Sequence, residues 1–183
     1  LREVGPVDAI CVSTRPRPEP DSYMPVFLAG RTAAGIAAAA LRAPLFFTSH
    51  QQGHICAALM GNEDLRAPFL AVHLSGGTTE LCAVEEDLSL RLLGGGTDLH
   101  AGQFVDRIGV AMGMKFPCGK TLEALAVQAE AKDVKLPASV RGLECSLSGV
   151  ETRAQQLLKA GALQAEVAYA VYDCLARTLD KLL

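Results

Sequence analysis

The stretch FLAVHLSGGTTELCAV, residues 69–84, decides the fold class of this chain. Two apolar runs, Phe69–Ser75 and Thr79–Val84, flank the sequence Gly76-Gly77-Thr78. Runs of this length and composition predict β-strands, and the paired glycines between them predict a tight hairpin turn. A third apolar run, Leu88–Leu93, ends in three glycines, so we expect another strand that leads into a glycine-rich loop.

On the N-terminal side of this hairpin, strand and helix patterns alternate. The sequence predicts strands at Val7–Ser13 and Leu45–Ser49. It predicts a helix from Met24 to Arg42 that is rich in alanine and buried on much of its surface, and a second helix from Gln51 to Met60. A strand–helix–strand–helix order indicates parallel strands joined by right-handed crossovers.

On the C-terminal side, helical patterns dominate. We predict helices at Asp98–Met114, with Asp98 as the N-cap, and at Thr121–Ala131, Val150–Ala160 and Leu163–Leu183. A hairpin followed by a further strand and helices is typical of the start of a second α/β lobe. We therefore expect a boundary between residues 62 and 68.

Composition narrows the functional classes. Half of the 183 residues are hydrophobic and a fifth are charged, which fits a folded α/β protein and excludes a disordered tail. The net charge of -3 argues against a globally basic surface for nucleic acid, so any RNA contact needs a local positive patch. The six cysteines form no CxxC pair, and the sequence shows neither a signal peptide nor a membrane span. These features predict a cytoplasmic protein with free thiols.

A pair of histidines suggests a metal site. His50 and His54 form an HxxxH motif directly after a predicted strand, and at helical spacing both imidazoles share one face. Two ligands are too few for a closed site, and two ordinary surface histidines would give the same pattern. The motif differs from the HExxH of zinc proteases because Gln51 and Gln52 are neutral amides, which cannot take a proton from metal-bound water.

Two glycine-rich segments could bring backbone amides close to an anion. The first, residues 75–79, could cradle a phosphate or could be only a turn. The second, residues 94–98, leads from a strand into a helix on which Gly102 and Asp106 share a face. Asp106 could accept hydrogen bonds from ligand hydroxyls, or it could pair on the surface with a cation such as Arg107.

The order of these motifs is more specific than any one of them. The motif His50–His54 is followed by Leu74–Leu81 (LSGGTTEL), Leu99–Gly109 (LHAGQFVDRIG), Lys115–Ala126 (KFPCGKTLEALA) and Leu143–Thr152 (LECSLSGVET). This succession resembles the TsaD family of threonylcarbamoyladenosine tRNA modification proteins, formerly called glycoproteases, over nearly the whole chain. The chain is most similar to the short divergent paralogues of that family.

The resemblance implies an α/β fold of the actin-like ATPase (ribonuclease H-like) type, incomplete, with parts of two lobes. Residues 1–65 would end an N-terminal lobe that carries HxxxH, and residues 66–183 would begin a second lobe with the SGG hairpin. The matching positions imply a divalent metal ion, iron or zinc, at His50 and His54, and they do not identify the catalytic residues. The implied substrate- or nucleotide-binding residues, for an adenylate or ATP, are Leu74, Ser75, Gly76, Gly77, Asp106 and Gly119.

The resemblance also implies a reaction. Family members transfer threonylcarbamoyl from threonylcarbamoyl-adenylate to N6 of the tRNA adenine beside the anticodon, with other tRNA-modification proteins as partners. The alternatives are a non-catalytic nucleotide-binding paralogue that acts as a partner or regulator, and a metallopeptidase. Departures from the family pattern favour the non-catalytic alternative. Gly95 and Leu99 stand where the family usually has acidic residues. Thr78, Gln103, Cys118 and Glu151 stand where the family usually has histidine, glutamate, glycine and lysine.

The chain begins at Leu1, and the phosphate loop and closing lobe that the family pattern implies do not appear in it. We therefore expect a fragment that is inactive alone and binds metal weakly, because the implied third metal ligand is missing. Strand edges and apolar helix faces that a cut would expose predict self-association.

Overall fold

A computed structural model describes residues 5–62 and 64–183. These residues form two compact units, the first drawn from residues up to 69 together with 84–91, and the second from 70–83 and 92–183. The predicted division at 62–68 includes Glu63, which lies outside the described residues, and the assignment of the two units to lobes stays a prediction. No helix in the described ranges combines the length and the apolar character needed to cross a bilayer.

Strands and helices alternate up to residue 60, three consecutive strands follow, and helices dominate the second half of the chain. The elements of the described residues are β1 (Ile10–Arg15), α1 (Val26–Leu41), β2 (Leu45–Ser49), α2 (His50–Met60), β3 (Phe69–Leu74), β4 (Thr79–Val84), β5 (Leu90–Gly96), α3 (Ala101–Ala111), α4 (Gly119–Ala126), β6 (Val140–Arg141), β7 (Glu144–Cys145), α5 (Ser148–Lys159) and α6 (Gln164–Leu182).

In the first unit, β1 and β2 pair in parallel, with Ile10 opposite Leu45, as the strand–helix–strand order predicted. Helix α2 follows β2 without a loop because Ser49 closes a capping box. The Ser49 hydroxyl accepts from the Gln52 amide at 3.1 Å, and the Gln52 side-chain oxygen accepts from the Ser49 amide at 3.3 Å. This box fixes the first turn of α2, where His50 lies.

The predicted burial of α1 is wrong. Only Ala38 of this helix is buried, whereas Val26 and Ile36 are each 67 % exposed. Alanine and leucine made the sequence look like a core helix, but apolar composition does not fix which surface covers a helix. Helix α1 packs on β1 along one narrow side and leaves the remaining apolar side chains open.

The second sheet has the strand order β3-β4-β5-β7-β6, with β7 parallel to β5 and antiparallel to β6. The β3–β4 hairpin agrees with the sequence prediction. The two-residue strands β6 and β7 were not predicted, because segments this short have no readable alternation. They exist because Gly95 donates to the Leu143 carbonyl at 2.9 Å and Thr97 donates to the Cys145 carbonyl at 2.9 Å.

The three glycines after the third apolar run do not form the expected loop, since β5 continues through Gly96. A Cβ atom on Gly94 would lie 2.0 Å from the Leu143 carbonyl oxygen, and one on Gly95 would lie 2.1 Å from that of Thr79. Gly95 also has φ of +151°, a conformation that favours glycine. These glycines therefore let neighbouring segments of backbone approach each other closely.

Helices α3 to α6 form the core of the second unit. Phe104 and Ile108 of α3 and Val171 of α6 are fully buried together with Leu122 of α4 and Ala154 of α5. Helix α4 ends at Ala126, several residues before its predicted end, and α5 begins at Ser148, two residues before its predicted start. The prediction of an α/β fold is confirmed.

We expect Gly94→Ala to destabilise the 183-residue chain by at least about 2 kcal/mol, because the added methyl group overlaps a backbone carbonyl that cannot move without breaking the β5–β7 pairing. The urea midpoint of unfolding measures this. Gly149→Ala is the matched control, since a Cβ there meets no atom within 4 Å, and its midpoint should be unchanged or higher. Equal midpoints for both variants would contradict the packing role.

Candidate functional site

The β3–β4 turn is held against the first turn of α3. The Gly102 amide donates to the Ser75 carbonyl at 3.1 Å, and the Ala101 amide donates to the Thr79 hydroxyl at 2.8 Å. A Cβ on Gly102 would lie 2.7 Å from the Ser75 and Gly76 backbone, so only glycine allows this approach. The turn itself is closed by a bond of 2.8 Å from the Ser75 amide to the Thr78 carbonyl.

A cavity of about 420 Å³ opens beside this contact. Five of the six residues predicted to bind substrate or nucleotide line it, namely Leu74, Ser75, Gly76, Asp106 and Gly119. The sixth, Gly77, is not among its lining residues, and its amide donates to the Ser75 hydroxyl at 3.1 Å. Residues from separate motifs of the sequence thus meet around one cavity in the second unit.

Asp106 both lines this cavity and holds the next helix. Its Oδ1 accepts from the Cys118 amide at 2.7 Å, which fixes the turn that starts α4. Its partner is thus a backbone amide, in contrast to the surface pairing with Arg107 that the sequence left open. Cys118 is fully buried, and Gly109 lies so close to it that a Cβ there would be 2.3 Å from the Cys118 Cβ. The cysteine in place of the family's glycine therefore points into the core.

Two further cavity residues were not found from the sequence. The Tyr172 hydroxyl donates to the Gly119 carbonyl at 2.9 Å, across 53 positions of sequence, and Glu123 lies one turn after Gly119 on α4. Burial, and after it the negative charges of Glu123 and Asp106, raise the pKa of Tyr172. The phenol therefore remains a protonated donor. No sequence signal marks Tyr172, because its place on α6 reads only as helix.

The charges around the cavity select among ligand chemistries. Among the described residues, its lining contains the carboxylates of Asp106 and Glu123 and no lysine or arginine. Carboxylates accept hydrogen bonds from hydroxyl and amino groups and repel phosphate. The end of the cavity near Asp106 thus suits a sugar or a base, and the hairpin offers uncharged backbone to an anion.

The two histidines of the HxxxH motif lie in the first unit, on the first turns of α2. Their Nε2 atoms are 3.1 Å apart and their rings meet edge to face, with 4.4 Å between centroids. Two nitrogen ligands at about 2.05 Å from one metal ion are roughly 2.9–3.3 Å apart, so the pair fits a shared ion. A hydrogen bond between a donor and an acceptor ring nitrogen gives the same approach.

Two other residues of the motif, Gln51 and Gln52, make contacts that stabilise the fold. Gln52 forms the capping box with Ser49. Gln51 is buried, and its backbone amide donates to the Pro16 carbonyl at 3.0 Å. Within residues 5–62 and 64–183, no group of three or more His, Cys, Asp or Glu side chains is placed to hold a metal ion. The position that would carry a peptidase base, Gln51, thus holds a buried side chain with a neutral amide.

Asp98 does not cap α3 as predicted, since that helix begins at Ala101. Its carboxylate instead receives the Ser146 hydroxyl at 2.6 Å, the Leu147 amide at 2.9 Å, the Leu99 amide at 2.6 Å, and the amide and hydroxyl of Ser148. Burial acts to raise the pKa of Asp98, but these hydrogen bonds outweigh it and hold the pKa well below 3.8. The SLSG motif is therefore the anchor of α5 on the α3 side of the core.

The structure is that of an α/β protein with a cavity beside a glycine hairpin and with a histidine pair whose spacing suits a metal ion. The chain belongs to the TsaD family, because the family model described as tRNA N6-adenosine threonylcarbamoyltransferase matches residues 3–183. This family has the actin-like ATPase fold, so the predicted fold type and the predicted family are both confirmed.

Individual relatives carry the same description. The chain is 34 % identical to tRNA N6-adenosine threonylcarbamoyltransferase of Syntrophobacter fumaroxidans over 81 % of its own length and 43 % of that protein. It is 39 % identical to the protein of the same description from Thermus thermophilus, over 77 % of its own length and 44 % of that protein. It is 30 % identical to that of Cyanothece sp., over 96 % of its own length and 53 % of that protein. The chain thus spans about half the length of the curated relatives it matches, or slightly less.

We expect Asp98→Asn to lower the free energy of unfolding by about 1–2 kcal/mol at neutral pH, because charge-assisted hydrogen bonds to the SLSG motif are weakened. The folded-state pKa is lowered, so the carboxylate's contribution is complete well above 3.8 and is lost as pH falls below that value. Urea denaturation at several pH values measures the difference.

Asp133→Asn is the control for this experiment, because it removes one exposed carboxylate at a residue outside the network. The free energy of unfolding of this control should differ little from that of the parent chain at every pH. A stability gap between the parent and Asp98→Asn that widens toward acid would overturn the assignment.

Proposed function

We propose that this chain forms part of an enzyme that transfers threonylcarbamoyl from its adenylate to N6 of the tRNA adenine beside the anticodon. The observation that carries the proposal is the convergence of the LSGG, AGxxxD and FPxG residues around one cavity in the second unit. Family membership and the names of the relatives support the reaction class.

The charges of the cavity suggest how the adenylate would be oriented. Asp106 Oδ1 is used by the Cys118 amide, which leaves Oδ2 to accept from a ribose hydroxyl or the adenine amino group. The acyl phosphate would then lie toward the Ser75–Gly76 backbone, away from the carboxylates of Asp106 and Glu123. Tyr172 holds the Gly119 carbonyl in place and so shapes the wall beside the base.

His50 and His54 are the residues that would hold a divalent ion, iron or zinc, since their Nε2 atoms are a ligand-pair distance apart. Such an ion supplies Lewis acidity toward a carbonyl or phosphoryl oxygen when it is bound. The chain's own part is to keep both imidazoles on one exposed helix face, which the Ser49–Gln52 capping box does. Phe27 packs against the His50 ring at 6.0 Å between centroids and restricts its rotation.

A non-catalytic nucleotide-binding relative, acting as a partner or regulator, is the second candidate. Two residues at altered family positions make local contacts in the structure. The Gln103 side chain accepts from the His100 amide at 3.4 Å, and Glu151 pairs with Gln155 within α5. Both side chains thus contact neighbours of their own helices, and this observation favours the second candidate.

Partners and compartment follow from the proposed reaction. Other tRNA-modification proteins in the cytoplasm would supply the adenylate and present the tRNA. The exposed apolar side chains of α1, including Val26 and Ile36, support self-association of the 183-residue chain.

We expect Asp106→Asn to weaken binding of adenosine nucleotides about 10-fold, because a charged acceptor is replaced by a neutral one. The amide oxygen can still accept from Cys118, so thermal stability should stay close to that of the parent chain. Isothermal titration with ATP and with adenosine measures the affinities, with Asp133→Asn as the control. Unchanged affinity in a folded Asp106→Asn variant would place the nucleotide elsewhere.

We expect the full-length protein, supplied with unmodified tRNA, threonylcarbamoyl-adenylate and its partners, to form the modified nucleoside. A chelator or His50→Ala should reduce product formation at least about 10-fold and lower the bound metal measured after dialysis. Cys56→Ala, an exposed change on the same helix, is the matched control and should do neither. No transfer by a folded protein that still binds nucleotide would support the non-catalytic alternative.

A further inference from the structure

A second cavity of about 480 Å³ lies in the same unit and shares one wall with the first. Asp106 lines both cavities. The other side chains that matter here are Gln103 and Arg107 from α3, Phe116 from the loop before α4, and Gln155 from α5. A ligand in this second cavity and a nucleotide in the first would therefore both have Asp106 as a neighbour.

Phe116 is an exposed aromatic ring on a fixed support. Its side chain is 68 % exposed, although the loop that carries it is held on both sides. The Met114 amide donates to the Gly109 carbonyl at 2.9 Å, and the Cys118 amide donates to Asp106 at 2.7 Å. A rigid ring open to solvent beside a cavity is suited to stacking on a planar group, because little conformational entropy is lost.

The loop that carries this ring has a lysine at each end, and the carboxylates of Asp106 and Glu151 line the cavity beside it. Lys115 precedes Phe116, Lys120 follows four residues later, and Arg107 lines the cavity, in a chain whose net charge is -3. All three cations are exposed. An aromatic ring between cations is the arrangement that binds single-stranded nucleic acid, where the ring stacks on a base and the cations meet the phosphates.

The polar groups of the cavity suit the edge of a base. Gln103 and Gln155 carry amides that can both donate and accept, and Glu151 can accept from an exocyclic amino group. A protein segment could use the same apolar wall, but it would not need cations on both sides of one ring. The cation–aromatic–cation sequence therefore favours RNA over a peptide.

We propose that the loop Lys115–Lys120 and this second cavity hold an unstacked base of the acceptor RNA, with Phe116 stacking on the base and Lys115 and Lys120 contacting its phosphates. This rests on the proposed function, since it places the acceptor beside the adenylate cavity. The base would lie against Gln103 and Gln155, on the opposite side of Asp106 from the donor nucleotide.

The test is fluorescence anisotropy of the full-length protein with a labelled, unmodified RNA hairpin of anticodon stem-loop sequence, at several salt concentrations. Phe116→Ala should weaken RNA binding roughly 10-fold or more, whereas Phe116→Tyr, which keeps the ring, should stay within about 2-fold. Val127→Ala, a change at another exposed apolar residue of the same unit, is the matched control and should have no effect. ATP affinity should be unchanged in all three variants.

The contribution of Lys115 and Lys120 is measured separately, by the salt dependence of RNA binding. Lys115→Ala combined with Lys120→Ala should reduce the slope of log affinity against log salt by about 1.4, the value for two lost single-strand phosphate contacts. Lys159→Ala, at the end of α5, is the control for loss of one exposed charge.

The outcomes separate this inference from the proposed function. RNA binding that depends on Phe116 in a protein without transferase activity would support the RNA site and reject the transferase. Transfer with an unchanged KM for tRNA in Phe116→Ala would support the transferase and overturn the RNA site. Equal RNA affinity of Phe116→Ala and the parent, no RNA binding by the parent, or loss of a protein partner alone would also overturn it.

Discussion

The architecture of the second unit depends on the contact between the residue 75–78 turn and the first turn of α3. Two helix amides that would otherwise lack partners, those of Ala101 and Gly102, are satisfied by the Thr79 hydroxyl and the Ser75 carbonyl. The same Thr79 lies under Gly95, whose missing side chain lets β5 approach β4. Sheet, turn and helix are thus joined at one point, and the cavity opens beside it.

Two aspartates then connect α3 to the rest of the chain. Asp98, before the helix, binds the SLSG segment that begins α5, and Asp106, within the helix, binds the amide of Cys118 before α4. Each carboxylate satisfies backbone groups at a helix start and stabilises a junction between distant segments. Asp106, which the resemblance connects with a ligand, is therefore also a residue that holds the helices together. It could take both roles because the Cys118 amide uses only one of its oxygens.

The departures from the family pattern have different structural consequences. Cys118 turns into the core against Gly109, so it changes packing and leaves the cavity wall in place. Gln103 and Glu151 engage neighbours on their own helices and line the second cavity, on the far side of Asp106 from the first. The first cavity thus keeps most residues of the family pattern, whereas two of the altered residues, Gln103 and Glu151, line the second cavity.

The sequence by itself determined the parts of the fold that depend on local pattern. The β3–β4 hairpin, the parallel pair β1–β2, the starts of α2 and α6 and the spacing of His50 and His54 follow from period, turn chemistry and capping, which act between neighbours in sequence. Only the tertiary structure decided the rest. Gly94 and Gly95 lie in a strand whose neighbours, the Leu143 and Thr79 backbones, occupy the space that a side chain would need. Asp98 accepts a hydrogen bond from Ser146, 48 positions away, and Tyr172 donates one to Gly119, 53 positions away. The exposure of α1 and the strands β6 and β7 likewise depend on surfaces far away along the chain, because burial and pairing are properties of the partner as much as of the segment.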